Sequence, residues 1–173
     1  PEGRFFAGII RDITERKNQE QKIMRLSRVQ AVLSGINSLI VRVSDRRELF
    51  DGACGIAVEH GGFGMAWISE FDAVTLDVTP VAWAGIGATE YVNIKSTARA
   101  DLPLGQGVTG RAIREKTPVV CNDITAEPNV GSGKRREAIR QGYRSLIALP
   151  LFTQGVVMGT LTLFAKEPNV FTA

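Results

Sequence analysis

Apolar side chains recur along residues 26–43 at alternating steps of three and four: Leu26, Val29, Leu33, Ile36, Ile40 and Val43. That spacing makes an a/d seam, a stripe through which two helices pack side by side. Upstream, DITERKNQEQKIMRL contains neither Gly nor Pro, so the helix extends back to a cap at Asp12 or Thr14. Asp12 puts Glu15 at the third helical position, the capping-box arrangement, and is the preferred cap. Ile23, Val32 and Leu39 widen the apolar face, enough for the lower half of the helix to dock on its own domain while the seam meets a second copy. Before the helix, residues 4–10 (RFFAGII) are aromatic and β-branched, the pattern of a short strand.

Downstream the periods alternate. Leu49, Phe50, Ala53, Ile56 and Ala57 repeat at helical spacing over residues 46–60, with Ser44 or Asp45 as cap and Gly61-Gly62 as terminator. Residues 63–71 (FGMAWISEF) and 75–84 are strand-like on either side of an Asp72-Ala73 turn, and so pair as a hairpin. Residues 88–100 are irregular or helical. A Pro/Gly loop over 102–107 opens onto a short helix at 109–115, followed by a strand at 118–122, a polar loop at 124–134 and a helix at 135–141. Strands at 145–152 and 156–164 close the series around a Thr153-Gln154-Gly155 turn. This order predicts an α+β domain, an antiparallel sheet with helices on one face and loops on the other, preceded by the long helix.

Composition narrows the class without naming a function. At 173 residues the chain holds one core of ordinary size, and 44% hydrophobic against 23% charged residues suits a globular domain. Net charge is +3, with 21 basic residues scattered among 18 acidic ones, which argues against a nucleic-acid surface. The densest basic cluster, Lys134, Arg135 and Arg136, sits in a Gly/Ser-rich stretch and reads as a solvated loop. No run approaches about 18 consecutive apolar residues, so no membrane span is expected in this piece. The two cysteines, Cys54 and Cys121, lack CxxC spacing, and a reducing, cytoplasmic compartment fits them. The start lacks Met, which makes the chain read as a piece of a longer protein.

Few residues carry chemistry by themselves. Gly105, Gly107 and Gly110 spell G-x-G-x-x-G, but no buried strand leads into them, so they are expected to shape a loop and cap a helix whose amides can still face a ligand. His60 is the single histidine and stands where a helix ends, which suits its dipole better than catalysis. One histidine and two separated cysteines assemble no usual metal or haem ligand set, and no cofactor is expected. Cys121 is a core thiol or a cavity-lining one, and Trp67 and Trp83 are core residues or, beneath an open sheet face, pocket walls.

Taken together the segments resemble two families. GIIRDITERKNQEQKI (residues 8–23) is similar to the tail of a PAS domain with the start of its signalling helix. AVEHGGFGMAWISEFD, LPLGQGVTGRAIREKTPVVCNDI and GYRSLIALPLFTQGVVMGTLTLFA, in that order and spacing, resemble a bacterial GAF domain over residues from about 28 to the end. The implied organisation is a PAS strand at 1–13, a signalling helix at 14–44 and a GAF domain at 45–173. The resemblance implies a six-stranded type of sheet and a final long helix, which the chain, ending at Phe171-Thr172-Ala173, stops short of. The signature of cyclic-nucleotide-binding members is not matched and no Cys-His pair of the bilin-binding kind is present, so neither ligand is implied.

The function implied is regulatory sensing in signal transduction: a small molecule or redox cue is read in a pocket and relayed through a homodimeric helix. The output domain of the same chain would be of the diguanylate cyclase or histidine kinase kind, as in two-component systems, and the fragment itself would not be an enzyme. In the implied arrangement Thr109, Cys121, Asn122, Asp123, Tyr143 and Ser145 converge on the cavity mouth above Trp67 and Trp83, aromatic walls with a few directed polar groups. Equally open is that Asp123 caps its loop and Thr109 its helix. Two rival functions remain, a dimerisation spacer whose pocket is filled by Trp67, Trp83, Tyr143 and Phe164, and a GAF-fold reductase acting through Cys121, for which Cys54 is poorly placed as resolving thiol.

Overall fold

The computed structural model describes residues 14–126 and 132–171. The expected strand at residues 4–10 and the preferred cap Asp12 therefore lie outside the described residues. Helix α1 (Thr14–Arg42) runs into helix α2 (Arg46–Glu59), where the Asp45 carboxylate accepts from the Glu48 amide at 2.9 Å. That bond satisfies one of the four amides a helix start leaves open.

Strands β1 (Met65–Phe71) and β2 (Val78–Gly85) form the first hairpin. The turn is longer than the alternation predicts, because Asp72 Oδ1 accepts from the amides of both Val74 and Thr75 and Leu76 turns left-handed at φ 61°. Extended pairing therefore resumes only at Val78. Helix α3 (Ala88–Val92), a single 3-10 turn (Pro103–Gly105), helix α4 (Val108–Glu115), strand β3 (Val119–Cys121) and helix α5 (Ser132–Arg140) make up the central excursion. Strands β4 (Ser145–Thr153) and β5 (Val156–Ala165) follow, joined at Gln154 and Gly155. Their φ values of 50° and 79° are those of the tight turn whose twist matches a hairpin.

These strands make one antiparallel sheet of five, in the order β2-β1-β5-β4-β3. Both of its faces are covered, which is why β1 and β5 read as nearly continuous apolar runs. Ala66, Ile68, Ala82 and Leu163 meet Ala53, Cys54 and Ala57 of α2 on one side. Met65, Trp67, Leu146 and Phe164 face α3, α4 and α5 on the other.

Helix α1 docks on α2 by Val32, Ile36 and Leu39, the last lying against Gly52 and Ile56 lying against Gly35. Leu26, Val29, Leu33 and Ile40 occupy a stripe roughly 90° further round the helix and are 52–61% exposed. Of the six seam positions, Ile36 and Val43 are thus half-buried and the other four face out. Among the described residues no helix is long and apolar enough to cross a membrane.

Candidate functional site

Alternation along β1 sends Trp67 to the excursion side of the sheet, where it is fully buried. Tyr91 from α3 meets it edge-on at 6.0 Å between ring centroids and meets Phe164 of β5 at 5.0 Å. Leu146 of β4 and Cys121 of β3 extend this floor. Between the floor and helices α4 and α5 the described residues enclose a cavity of about 80 Å³. That is room for roughly half a dozen non-hydrogen atoms, at the volume a single water centre occupies.

One wall is the entry to α4. A side chain at Gly105 would collide with the Arg99 carbonyl, and one at Gly110 with the Gly105 carbonyl, so both glycines are required by close backbone approach. Arg114 locks this wall by donating from Nη1 to the carbonyls of Ala98 (2.8 Å) and Gly105 (2.7 Å). Gly107 is the N-cap and supplies no side-chain acceptor, which leaves the amides of Val108, Thr109 and Gly110 without intrahelical partners at the cavity edge.

The other wall holds the residue that the sequence reading placed in a solvated loop. Lys134 lies in the first turn of α5 and lines the cavity. Its ammonium sits 4.1 Å from the Trp67 ring centroid and 4.5 Å from that of Tyr91, and it is buried with no hydrogen-bond partner. Burial lowers its pKa from 10.5 to about 7, because the charged form loses its water. The phenol of Tyr91 beside it is raised by the same burial. The signal in the sequence was Ala138: it is buried, and Lys134 precedes it by one turn on the same helix face.

Lys95, Arg111 and Arg135 also line the cavity, and among the described residues no Asp or Glu does. Arg111 pairs with Glu115 at 3.1 Å, and Arg135 donates from Nε to the Ile124 carbonyl at 2.9 Å. The enclosed space therefore carries a positive potential over an apolar floor.

Of the residues expected at the cavity mouth, Thr109 and Cys121 line the cavity and Trp67 lies beneath Lys134. Trp83 is the cross-strand partner of Trp67 but stands on the edge strand, 41% exposed. Asp123 accepts from the amide and hydroxyl of Thr125 and pairs with Arg144 at 2.9 Å, which holds its carboxyl well below the usual range. Neighbouring Asn122 accepts at its carbonyl from the Asn169 amide. Tyr143 shares its hydroxyl proton between the carbonyls of Gly64 (2.9 Å) and Ile86 (2.8 Å), and Ser145 donates to the Glu167 carbonyl. These groups tie loops to the sheet.

Cys54 belongs to the helix-side core and Cys121 to the core across the sheet, so the two thiols are separated by a strand layer. Burial pushes the Cys54 thiol up to about 12. Among the described residues no group of His, Cys, Asp and Glu is arranged to hold a metal ion.

A profile for the GAF domain matches residues 43–173. No curated protein sequence matches the chain. Among solved structures, the GAF domain of A. aeolicus nlh2 in an inactive state is 15% identical, with TM-score 0.64 over 84% of this chain and 83% of that one. The GAF domain of a phosphoenolpyruvate-protein phosphotransferase from Coxiella burnetii is 15% identical, with TM-score 0.65 over 83% and 80%. The free methionine-R-sulfoxide reductase from Neisseria meningitidis, in complex with its substrate, is 21% identical, with TM-score 0.63 over 88% and 79%. At such identities the likeness is one of fold.

Proposed function

The chain belongs to the GAF domain family, and we propose that it is a regulatory sensor module that binds a small molecule in the cavity between the sheet and helices α4 and α5. The observation that supports this most directly is the buried, unpartnered ammonium of Lys134 in that cavity. A buried polar group left unpaired costs about 1–3 kcal/mol, a cost that evolution retains where a ligand completes the site. A collapsed spacer, its pocket filled by aromatic rings, would have no use for such a group.

Relay runs through α1 in this reading. Two copies pair through Leu26, Val29, Leu33 and Ile40, with Ile36 and Val43 at the border of the stripe, while Val32 and Leu39 hold α1 to α2. Ligand-dependent shifts of the sheet thus reach the dimer axis through α2. The PAS-like tail over residues 8–23 and an output domain in the same chain, of the diguanylate cyclase or histidine kinase kind, would flank the module in a cytoplasmic signalling protein. Substituting Leu26 and Leu33 with Glu should turn a dimer into a monomer by analytical ultracentrifugation while shifting the melting temperature of the folded domain little, since both side chains are more than half exposed. A monomeric unmodified chain at high concentration would contradict the pairing.

The reductase reading draws on Cys121 at the cavity and on the reductases among the structural relatives. Reductive turnover through a protein disulfide needs a second thiol within reach, and Cys54 lies across the sheet. Sensing is therefore preferred. It is tested by a thermal-shift screen of small anionic, neutral and cationic compounds against the wild type and Ala138→Leu, which fills the cavity from α5. At least one compound should raise the wild-type melting temperature and fail on the variant; equal shifts in both, or none in the wild type across all charge classes, would refute the site.

A further inference from the structure

We infer, resting on the sensing role above, that the ligand is a small carboxylate whose head group meets the Lys134 ammonium and whose apolar body lies against Tyr91, Leu146 and Phe164. The ammonium is a triple donor without an acceptor in this structure. The Trp67 indole Nε1 beneath it is also buried and without an acceptor. The unpaired donors of the ammonium select an acceptor-rich ligand, and a charged one gains roughly twice the hydrogen-bond strength of a neutral one. Thr109 and the open amides at the start of α4 stand at the same cavity, and a helix start favours negative charge.

Other charge classes fit less well. The faces of Trp67 and Tyr91 could hold a foreign ammonium, but only by expelling Lys134 toward a rim already carrying Lys95, Arg111 and Arg135. A neutral ligand would leave the buried charge uncompensated. Inorganic phosphate, with more acceptors and more charge, finds a floor of rings and aliphatic carbon that an apolar body covers better. The volume of about 80 Å³ suits a ligand body of roughly half a dozen non-hydrogen atoms.

The pH dependence follows. Among the described residues the titratable groups lining the same cavity as the amine are the phenol of Tyr91, the thiol of Cys121 and the cations of Lys95, Arg111 and Arg135, none of them a carboxylate that would hold its proton. In the unliganded protein Lys134 loses its proton at about 7. A bound carboxylate raises that value, so binding takes up a proton above pH 7 and weakens as pH rises, by up to tenfold per pH unit.

Isothermal titration of the protein with butyrate, butyramide, butylamine and inorganic phosphate tests this at matched size. Butyrate should bind at least about tenfold more tightly than butyramide at pH 6.5, lose at least about tenfold by pH 8.5, and lose its advantage over butyramide in Lys134→Met. Equal affinity for butyrate and butyramide, a preference for butylamine or phosphate, or full butyrate affinity in Lys134→Met would each overturn the inference. The wild-type comparison needs no variant to fold. If a neutral or cationic compound binds at this cavity instead, sensing stands and the carboxylate falls; if nothing binds here and the broad screen is silent, both fall.

Discussion

Replacing Lys134 with methionine raises the stability of the unliganded domain by about 1–3 kcal/mol, the cost of a buried donor without an acceptor. Methionine keeps the length of the stem and its packing on the Trp67 and Tyr91 rings, while removing a charge that the cavity does not neutralise. The gain is smaller than full desolvation of an ammonium would suggest, because the ring faces return part of it. In a domain of this size it amounts to a rise of several degrees in melting temperature. The pH dependence has a definite sign. The folded-state pKa is depressed from 10.5 to about 7, so the unfolded chain binds more protons between those values and wild-type stability increases with pH across that window. The advantage of Lys134→Met is therefore full below pH 7 and shrinks toward pH 10.5, which melting curves at pH 6.5 and 9 resolve. A variant less stable than wild type at pH 6.5 would show that the amine holds the fold together rather than waiting for a ligand.

Trp67→Ala is the most damaging single change expected, costing about 3–5 kcal/mol. The side chain is among the largest that are fully buried, and it supports both the Tyr91 ring and the Lys134 ammonium. Against the 5–15 kcal/mol by which domains are usually stable, such a loss leaves a partly unfolded protein near body temperature. Trp83→Ala provides the contrast. It sits directly opposite Trp67 in register, yet on the edge strand and 41% exposed, so its removal should cost about 1 kcal/mol or less. Denaturant unfolding of the two variants separates them; similar midpoints would mean that the exposed indole is covered in solution by something else.

Those two tryptophans also show what the sequence could and could not reveal. Each occupies an apolar-patterned strand, and nothing local distinguishes an edge strand from a central one, so both were read alike, as core residues or pocket walls. Local signals did better. The Asp45 cap, the helix from Arg46 and the Gln154-Gly155 turn are written in short-range residue chemistry, and each is found where that chemistry requires it. Asp123 illustrates the opposite case, since its bidentate partner Arg144 comes from 21 residues away and only the folded chain brings the two together. Lys134 was misread because a basic triplet beside Gly and Ser has the composition of a loop; its relation to Ala138 one turn later becomes informative once α5 is known to start at Ser132. The expectation of six strands came from family resemblance, and the described residues form five.

The central claim, that a small molecule is read in the cavity beneath α4 and α5, is tested most directly by following backbone amide resonances while butyrate is added at pH 6.5. The amides of Val108, Thr109 and Gly110, together with those flanking Cys121 and Lys134, should shift in a saturable manner and with one common dissociation constant. Resonances that stay unmoved there while saturable shifts gather on α1 or the α2 face of the sheet would contradict the account.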